Sequence, residues 1–427
     1  MEKGNPSFKK IISRTSKNPS IKFLKYKSFS LERDIYNTIS VIFNLESALK
    51  QGFYPSKKIE VPISGETYSK CNIKEIENQI MELISIVLLY DTNIKLIKER
   101  ITKKRYDKTY DAGKTDNICL FSGGVDSFSG ILKCAEHYNN VKGVFVAHCD
   151  QPWTVHIVNN LKNIISDKYG LEIFTVHAPP MYSRGYSQLR GLLYIVLASI
   201  YANICESNNI VVTECGPTMY QPRLAPYDAV TMTTHPFILK KAKKIIELFL
   251  NKEITITIPH EDMTKAEVIS SSPLPEVLKD TYSCITQRFG KSEGACYGCI
   301  IRRLGFVAAN INDAPYQHNP LLNDGKSDNL LSLINLSSEI LLNYDDMDYY
   351  MKENIDKFNK KDLFVRFALD NISALYLLNK SGIKINSVLK RFYNAVSSII
   401  SEDIFENRIK DIRNKKYAPD YSKTVIY

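Results

Sequence analysis

Apolar positions along this chain change their rhythm twice, and the middle regime is the most regular. Between residues 117 and about 310, short apolar runs at 118–121, 143–148, 172–177, 210–214 and 254–258 have the length and β-branched content of strands. The stretches between them, at 128–138, 156–168, 189–206 and 237–251, carry apolar residues at three- and four-residue spacing and read as helices. Strand and helix in alternation predict an α/β fold, a parallel sheet with helices on both faces. Ligands of such a sheet bind at the carboxyl ends of its strands.

The flanks follow other patterns, and no internal repeat is visible. Residues 1–110 read as an N-terminal α+β extension with a basic tail. A helix is expected around 34–51, a strand at 58–63, and an amphipathic helix in which Ile80, Leu83, Val87, Leu88 and Ile94 keep helical spacing through to Arg100. A polar, glycine-containing stretch at 103–117 is a natural linker into the α/β domain at 111–310. Residues 311–427 turn helical, with candidates at 330–341, 363–378 and 388–412. No catalytic constellation appears there, so packing and partner binding are its expected roles.

The first strand of the α/β region ends in Ser122-Gly123-Gly124-Val125-Asp126-Ser127 and runs straight into a helix. A buried strand, a glycine turn and a helix start make an anion site. Adjacent glycines reach φ > 0 and let backbone approach a phosphate, which the first helical N–H groups and the helix dipole then face. Ser122 and Ser127 add hydroxyls, and Asp126 is suited to a Mg²⁺ ion or to orienting the loop. Gly113-Lys114-Thr115 ends like a Walker loop, but Lys108 stands where the first glycine belongs and the tripeptide precedes the strand. With the Ser-Gly-Gly-Xaa-Asp-Ser pattern in place, the turn resembles that of PP-loop ATP pyrophosphatases. That resemblance implies cleavage of ATP between the α- and β-phosphates, with the loop gripping pyrophosphate.

Composition adds little to this picture. The 427 residues are 44% hydrophobic and 24% charged, ordinary for a globular protein of two or three domains. The best uncharged run, 192–205, falls short of the roughly 18–20 residues a membrane span needs. The first residues lack a signal peptide's apolar core, so a cytoplasmic location is expected. A net charge of +10 tempts toward nucleic acid, but only the first 27 residues concentrate it, and a solvated tail accounts for that. Of nine cysteines, six stand apart as small apolar residues.

The other three crowd together. Cys296 and Cys299 form a two-residue knuckle downstream of Cys284, and thiolates are natural zinc ligands. The stretch resembles the zinc module of the 7-cyano-7-deazaguanine synthases, the QueC-like enzymes, which carry four cysteines. Aligning Cys299 with the last of them matches Cys296, Cys284, Arg302, Gly305 and Phe306, and puts Glu293 at the remaining position. Three readings fit that position: Glu293 as an oxygen ligand, a remote fourth ligand, or loss of the metal. Retained zinc on Cys284, Cys296, Cys299 and Glu293 is the expectation, because little else would hold such a loop.

The same resemblance implies further site residues. Arg190, followed by Leu193, Tyr194, Ala198 and Ala202, is similar to the family's arginine-led helix, with Gly191 where asparagine is usual. Pro259 through Glu267 resembles the segment after the last strand and implies Lys265 beside the triphosphate. Arg190 and Lys265 would then neutralise charge moving onto pyrophosphate, and Asp126 would position Mg²⁺. On position alone, Glu214 and Asp228 are placed to face the substrate and His148 and Asp150 to flank adenosine. His235 reads equally as a loop or a catalytic residue.

Resemblance covers about residues 115–310. A longer QueC-like subgroup in bacterial anti-phage systems (the QatC component of Qat, and a relative in type IV CBASS) carries an N-terminal domain ending in segments like Ile59-Glu60-Val61-Pro62-Ile63 and Leu88-Leu89-Tyr90-Asp91. This implies an ATP-dependent ligase that adenylates a carboxylate, by resemblance 7-carboxy-7-deazaguanine, and passes it to an amine within a defence system. Its cofactors would be ATP, Mg²⁺ and Zn²⁺. The resemblance admits a defence-protein partner and a homo-oligomer, and the basic tail admits nucleic acid. A tRNA-base-modifying enzyme and a nucleotide-binding scaffold are the competing readings.

Overall fold

The computed structural model describes residues 30–50, 52, 58–99, 113–147, 152–178, 187–220, 233–284, 292–322, 327–343 and 360–425. The basic tail and most of the expected linker lie outside these residues.

The N-terminal region runs α1 (Ser30–Lys50), β1 (Lys58–Ile63), α2 (Gly65–Lys70), α3 (Ile73–Leu88) and β2 (Asn93–Lys98). β1 and β2 pair in parallel, with Ile59 opposite Ile94 and Val61 opposite Leu96. The helix expected through Arg100 thus stops at Leu88. Leu89 takes a left-handed conformation (φ 49°) that ends it, and Asn93-Ile-Lys-Leu-Ile-Lys alternates buried and exposed as a strand does.

The α/β region follows the expected alternation. It comprises β3 (Asn117–Leu120), α4 (Val125–His137), β4 (Val141–Ala147), α5 (Pro152–Tyr169), β5 (Ile173–His177), α6 (Arg190–Ile204), β6 (Asn209–Val211), α7 (Gly216–Tyr220), α8 (Pro236–Leu250), β7 (Thr255–Thr257) and α9 (Lys265–Ser271). A 3₁₀ turn (Pro275–Asp280) leads to α10 (Tyr297–Ala309), and then to α11 (Asp328–Leu342), α12 (Lys361–Lys380), α13 (Ser387–Ser397) and α14 (Glu402–Arg413). The five strands β3 to β7 form one parallel sheet in the order β5-β4-β3-β6-β7. Helices α4 and α5 pack on one face and α6 and α8 on the other. Chain order reverses direction between β3 and β6, so the crevice where such sheets bind ligands opens beside the end of β3.

The three sequence regions share one continuous hydrophobic core, from Ile35 of α1 to Val425. Two ties across it involve polar groups. Glu46 of α1 is buried and accepts from Ser187 Oγ (2.5 Å), Gln188 N (2.6 Å) and Leu189 N (3.2 Å), so the N-terminal region caps the start of α6. At the far edge of the sheet, Ile258 N donates to Lys423 O and Val425 N to Ile256 O, both at 2.9 Å. The C-terminal segment therefore covers β7, an edge strand that would otherwise present unpaired backbone groups.

Candidate active site

The sheet ladder persists one residue past β3, where Phe121 N donates to Val144 O, and then the chain turns. Gly123 is left-handed (φ 79°), and a β-carbon on it would lie 2.6 Å from Val158 Cγ2. Its carbonyl accepts from Tyr282 N at 2.9 Å. Gly124 is the N-cap of α4 and has no side chain to cap with, which leaves the first N–H groups of a 13-residue helix facing the turn. Ser127 Oγ accepts from Ser122 N and donates to Gly124 O, each at 3.1 Å, and lies 3.0 Å from Ser122 Oγ. The serines therefore hold the turn in shape from within. Ser122 alone among them is exposed, while Val125 is buried and anchors the helix start.

Asp126 lies in a buried charged cluster. Its Oδ2 accepts from Lys265 Nζ at 2.6 Å and from Cys215 N at 3.1 Å. Its Oδ1 is buried without a hydrogen-bond partner. Beside it stands Glu214, three residues past β6, the half-buried residue in an otherwise buried run from 210 to 217. Burial and then the Asp126 charge push the Glu214 carboxyl up to about 7. Burial alone would lower the Lys265 ammonium, but Asp126, with Cys215 and Glu214, outweighs it and raises the pKa. His260, fully buried, links the loops after β6 and β7 through Nδ1 and Thr213 O (2.9 Å), and burial lowers its pKa, keeping it neutral. An orphaned carboxylate oxygen beside a second carboxyl group is a donor set that suits a hard divalent cation.

Lys265 opens α9, whose N-terminus is a capping box: Thr264 Oγ1 accepts from Glu267 N, and Glu267 Oε2 from Thr264 N. Arg190 opens α6. Behind it, a β-carbon on Gly191 would lie 1.3 Å from Thr233 O, so backbone crosses where a side chain would be. That contact is the physical reason for glycine at this position. His235 is the N-cap of α8, with Nδ1 accepting from Phe237 N at 3.2 Å. His148, Asp150 and Asp228 fall outside the described residues.

Of the four expected metal ligands, three converge. The Sγ atoms of Cys284, Cys296 and Cys299 lie within 4.8 Å of one another, and Cys284 and Cys296 are 3.9 Å apart. Tetrahedral zinc with Zn–S near 2.3 Å spaces its sulfurs by roughly 3.8 Å, so the three fit such a centre. Neighbouring thiols and then burial raise the Cys299 pKa well above its ordinary value. Glu293 turns its Oε2 to the N–H groups of Ala295 and Cys296, both 2.9 Å away, and its own N–H donates to Cys284 Sγ. Arg302, also buried, clamps Asp313, Thr281 O (2.8 Å) and Leu278 O (2.9 Å). Since Tyr282 follows Thr281 and bonds Gly123, the cysteine module and the glycine turn are joined by one short strap.

Glu214, Cys215 and His260 contribute more to this cluster than sequence reasoning assigned them. Glu214 is signalled only by its position at the end of the 210–214 run; the Cys215 N–H carries no signal at all.

No protein-family model matches the chain. It is 26% identical over 223 residues to the 7-cyano-7-deazaguanine synthase of Buchnera aphidicola subsp. Schizaphis graminum (strain Sg), an alignment covering 51% of this chain and 85% of that protein. The similarity supports a QueC-like relationship for about half of the chain.

Proposed function

We propose that this chain is a QueC-like ligase that cleaves ATP to AMP and pyrophosphate. The carrying observation is the Ser122–Ser127 turn at the end of β3, with Asp126 and Lys265 paired beside it at 2.6 Å. Similarity to a 7-cyano-7-deazaguanine synthase favours 7-carboxy-7-deazaguanine as the acid. A carboxylate oxygen of that acid attacks the α-phosphorus. The bond from this phosphorus to the bridging oxygen breaks, and pyrophosphate leaves with the electron pair. Ser122 and the backbone of Gly123, Gly124 and Val125 hold the departing group, in a turn that Ser127 keeps in shape, while Lys265 and Arg190 meet its growing charge. An amine then bonds to the acyl carbon, AMP leaves, and the nitrogen loses a proton.

Asp126 is the residue to hold Mg²⁺, which when bound would screen phosphate charge. Zinc on Cys284, Cys296 and Cys299 would fix the strap behind the turn; Glu293 is a fourth ligand only if its carboxylate leaves the two N–H groups. A defence setting, with a protein amine as acceptor, rests on the resemblance of Ile59–Ile63, in β1, and Leu88–Asp91, at the end of α3, to segments of the anti-phage subgroup.

The test is incubation with ATP, 7-carboxy-7-deazaguanine and ammonium. Acid-dependent AMP and pyrophosphate are expected, with a roughly 100-fold loss in Asp126→Asn. ADP and phosphate would overturn the assignment. The absent fourth cysteine favours a second reading, a scaffold that binds ATP without turning it over. That reading predicts ATP binding with no pyrophosphate in the same assay.

A further inference from the structure

Lys265 is held from three directions, and one of them leads into the C-terminal helices. Its ammonium meets Asp126. Its stem lies against Gly305 of α10, where an added β-carbon would come within 3.1 Å of Lys265 Cγ. The third hold acts on its helix. Glu267, the capping residue of α9, accepts from Arg366 Nη1 of α12 at 2.5 and 2.6 Å and from Arg408 Nη2 of α14 at 2.6 Å. Arg408 Nε also donates to Asp370 (2.6 Å), and Asp370 accepts from the N-cap Thr264 Oγ1 (2.5 Å). Ser270 Oγ adds a bond to Ile412 O at 2.6 Å. Thr264, Glu267, Arg366, Asp370 and Arg408 are all buried.

A capping box already satisfies the start of a seven-residue helix, so two buried arginines are more than capping needs. Their effect is to fix where that start lies. Forked guanidinium contacts set direction as well as charge, and a buried cluster of two acids and two arginines tolerates no missing member.

We propose that Arg366 and Arg408 are positioning residues for Lys265: acting through Glu267, they make the C-terminal helices a working part of the site. The inference rests on the adenylation reading only for its kinetic arm. In the full-length protein, reductive methylation read by mass spectrometry compares Lys265 with Lys243 of α8, whose side chain is equally shielded at 13%. Arg366→Gln and Arg408→Lys are each expected to raise labelling of Lys265 at least fivefold and leave Lys243 unchanged, with Arg366→Lys restoring part of the protection. In acid-dependent ATP–pyrophosphate exchange, kcat should fall roughly 10- to 100-fold with KM for ATP nearly constant, because charge reaches pyrophosphate only as it departs. On a Lys265→Met background the arginine substitutions should cost nothing further. Unchanged Lys265 labelling, equal gains at Lys243, or losses that multiply would each overturn the proposal. No exchange in the wild type, together with a selective gain of Lys265 labelling in the arginine variants, would overturn the adenylation reading and leave the positioning role standing.

Discussion

At Gly191 the chain carries glycine at the second position of α6, and the reason is a carbonyl. Thr233 O occupies the space of a side chain, so Gly191→Ala forces α6 and the 233–235 segment apart. The expected cost is about 1–3 kcal/mol of overpacking, read as a lower Tm, with weakened ATP–pyrophosphate exchange because Arg190 is the adjacent residue. Sequence alone flagged the oddity without its cause, since the partner is backbone more than forty positions away. Ser122 to Ser127 were legible for the opposite reason. Their chemistry is local: glycine conformations, a helix start and two hydroxyls within six residues. The sequence names Asp126 and Lys265 separately; their pairing, and the bond from Cys215 N, are not legible there because they arise through the fold.

Most elements, the short strands of the sheet included, lie where their patterns predict them, and β2 is the exception. β1 and the long helices α1 and α12 appear where their patterns put them, and 388–412 resolves into α13 and α14. β2 resembles the tail of a helix in the sequence because Val87 and Ile94 keep helical spacing across a turn. The left-handed Leu89 that breaks the helix has no sequence signature of the kind glycine would give. α10 carries the element-scale prediction. Cys296 is its N-cap and Cys299 lies in its first turn, so metal would pin this helix start to Cys284. Purified protein is expected to contain one zinc per chain by elemental analysis. Cys299→Ser should lose it and lower Tm by several degrees, and a chelator should do the same to the wild type. Protein made in zinc-replete medium but metal-free would exclude the centre.

Across the whole molecule, residues from all three sequence regions join one hydrophobic core. Glu46 reaches the start of α6 over some 140 residues, and Lys423 and Val425 close the β7 edge. Periodicity reports which face of an element is buried, never against what, so these ties were beyond any reading of the pattern. No helix among the described residues is long and apolar enough to cross a membrane. Deleting residues 416–427 should cost about 3 kcal/mol, from the backbone bonds of Asp420, Lys423 and Val425 to the 256–259 segment. It should also leave β7 open, giving a lower Tm and higher-order species on size exclusion. An unchanged melt and a single unshifted peak would show that the edge needs no cover.

The arginines that grip Glu267 lie 99 and 141 residues further along the chain. Protein synthesis therefore delivers the glycine turn, Asp126, Lys265 and the cysteines well before the groups that hold Lys265 still. A ribosome that has released residues up to 310 has made the turn, Asp126, Lys265 and the cysteines, yet it has not made the clamp. If the chain adenylates as proposed, its competence would arrive late in translation, as α14 docks, and unfinished chains would be spared from consuming ATP.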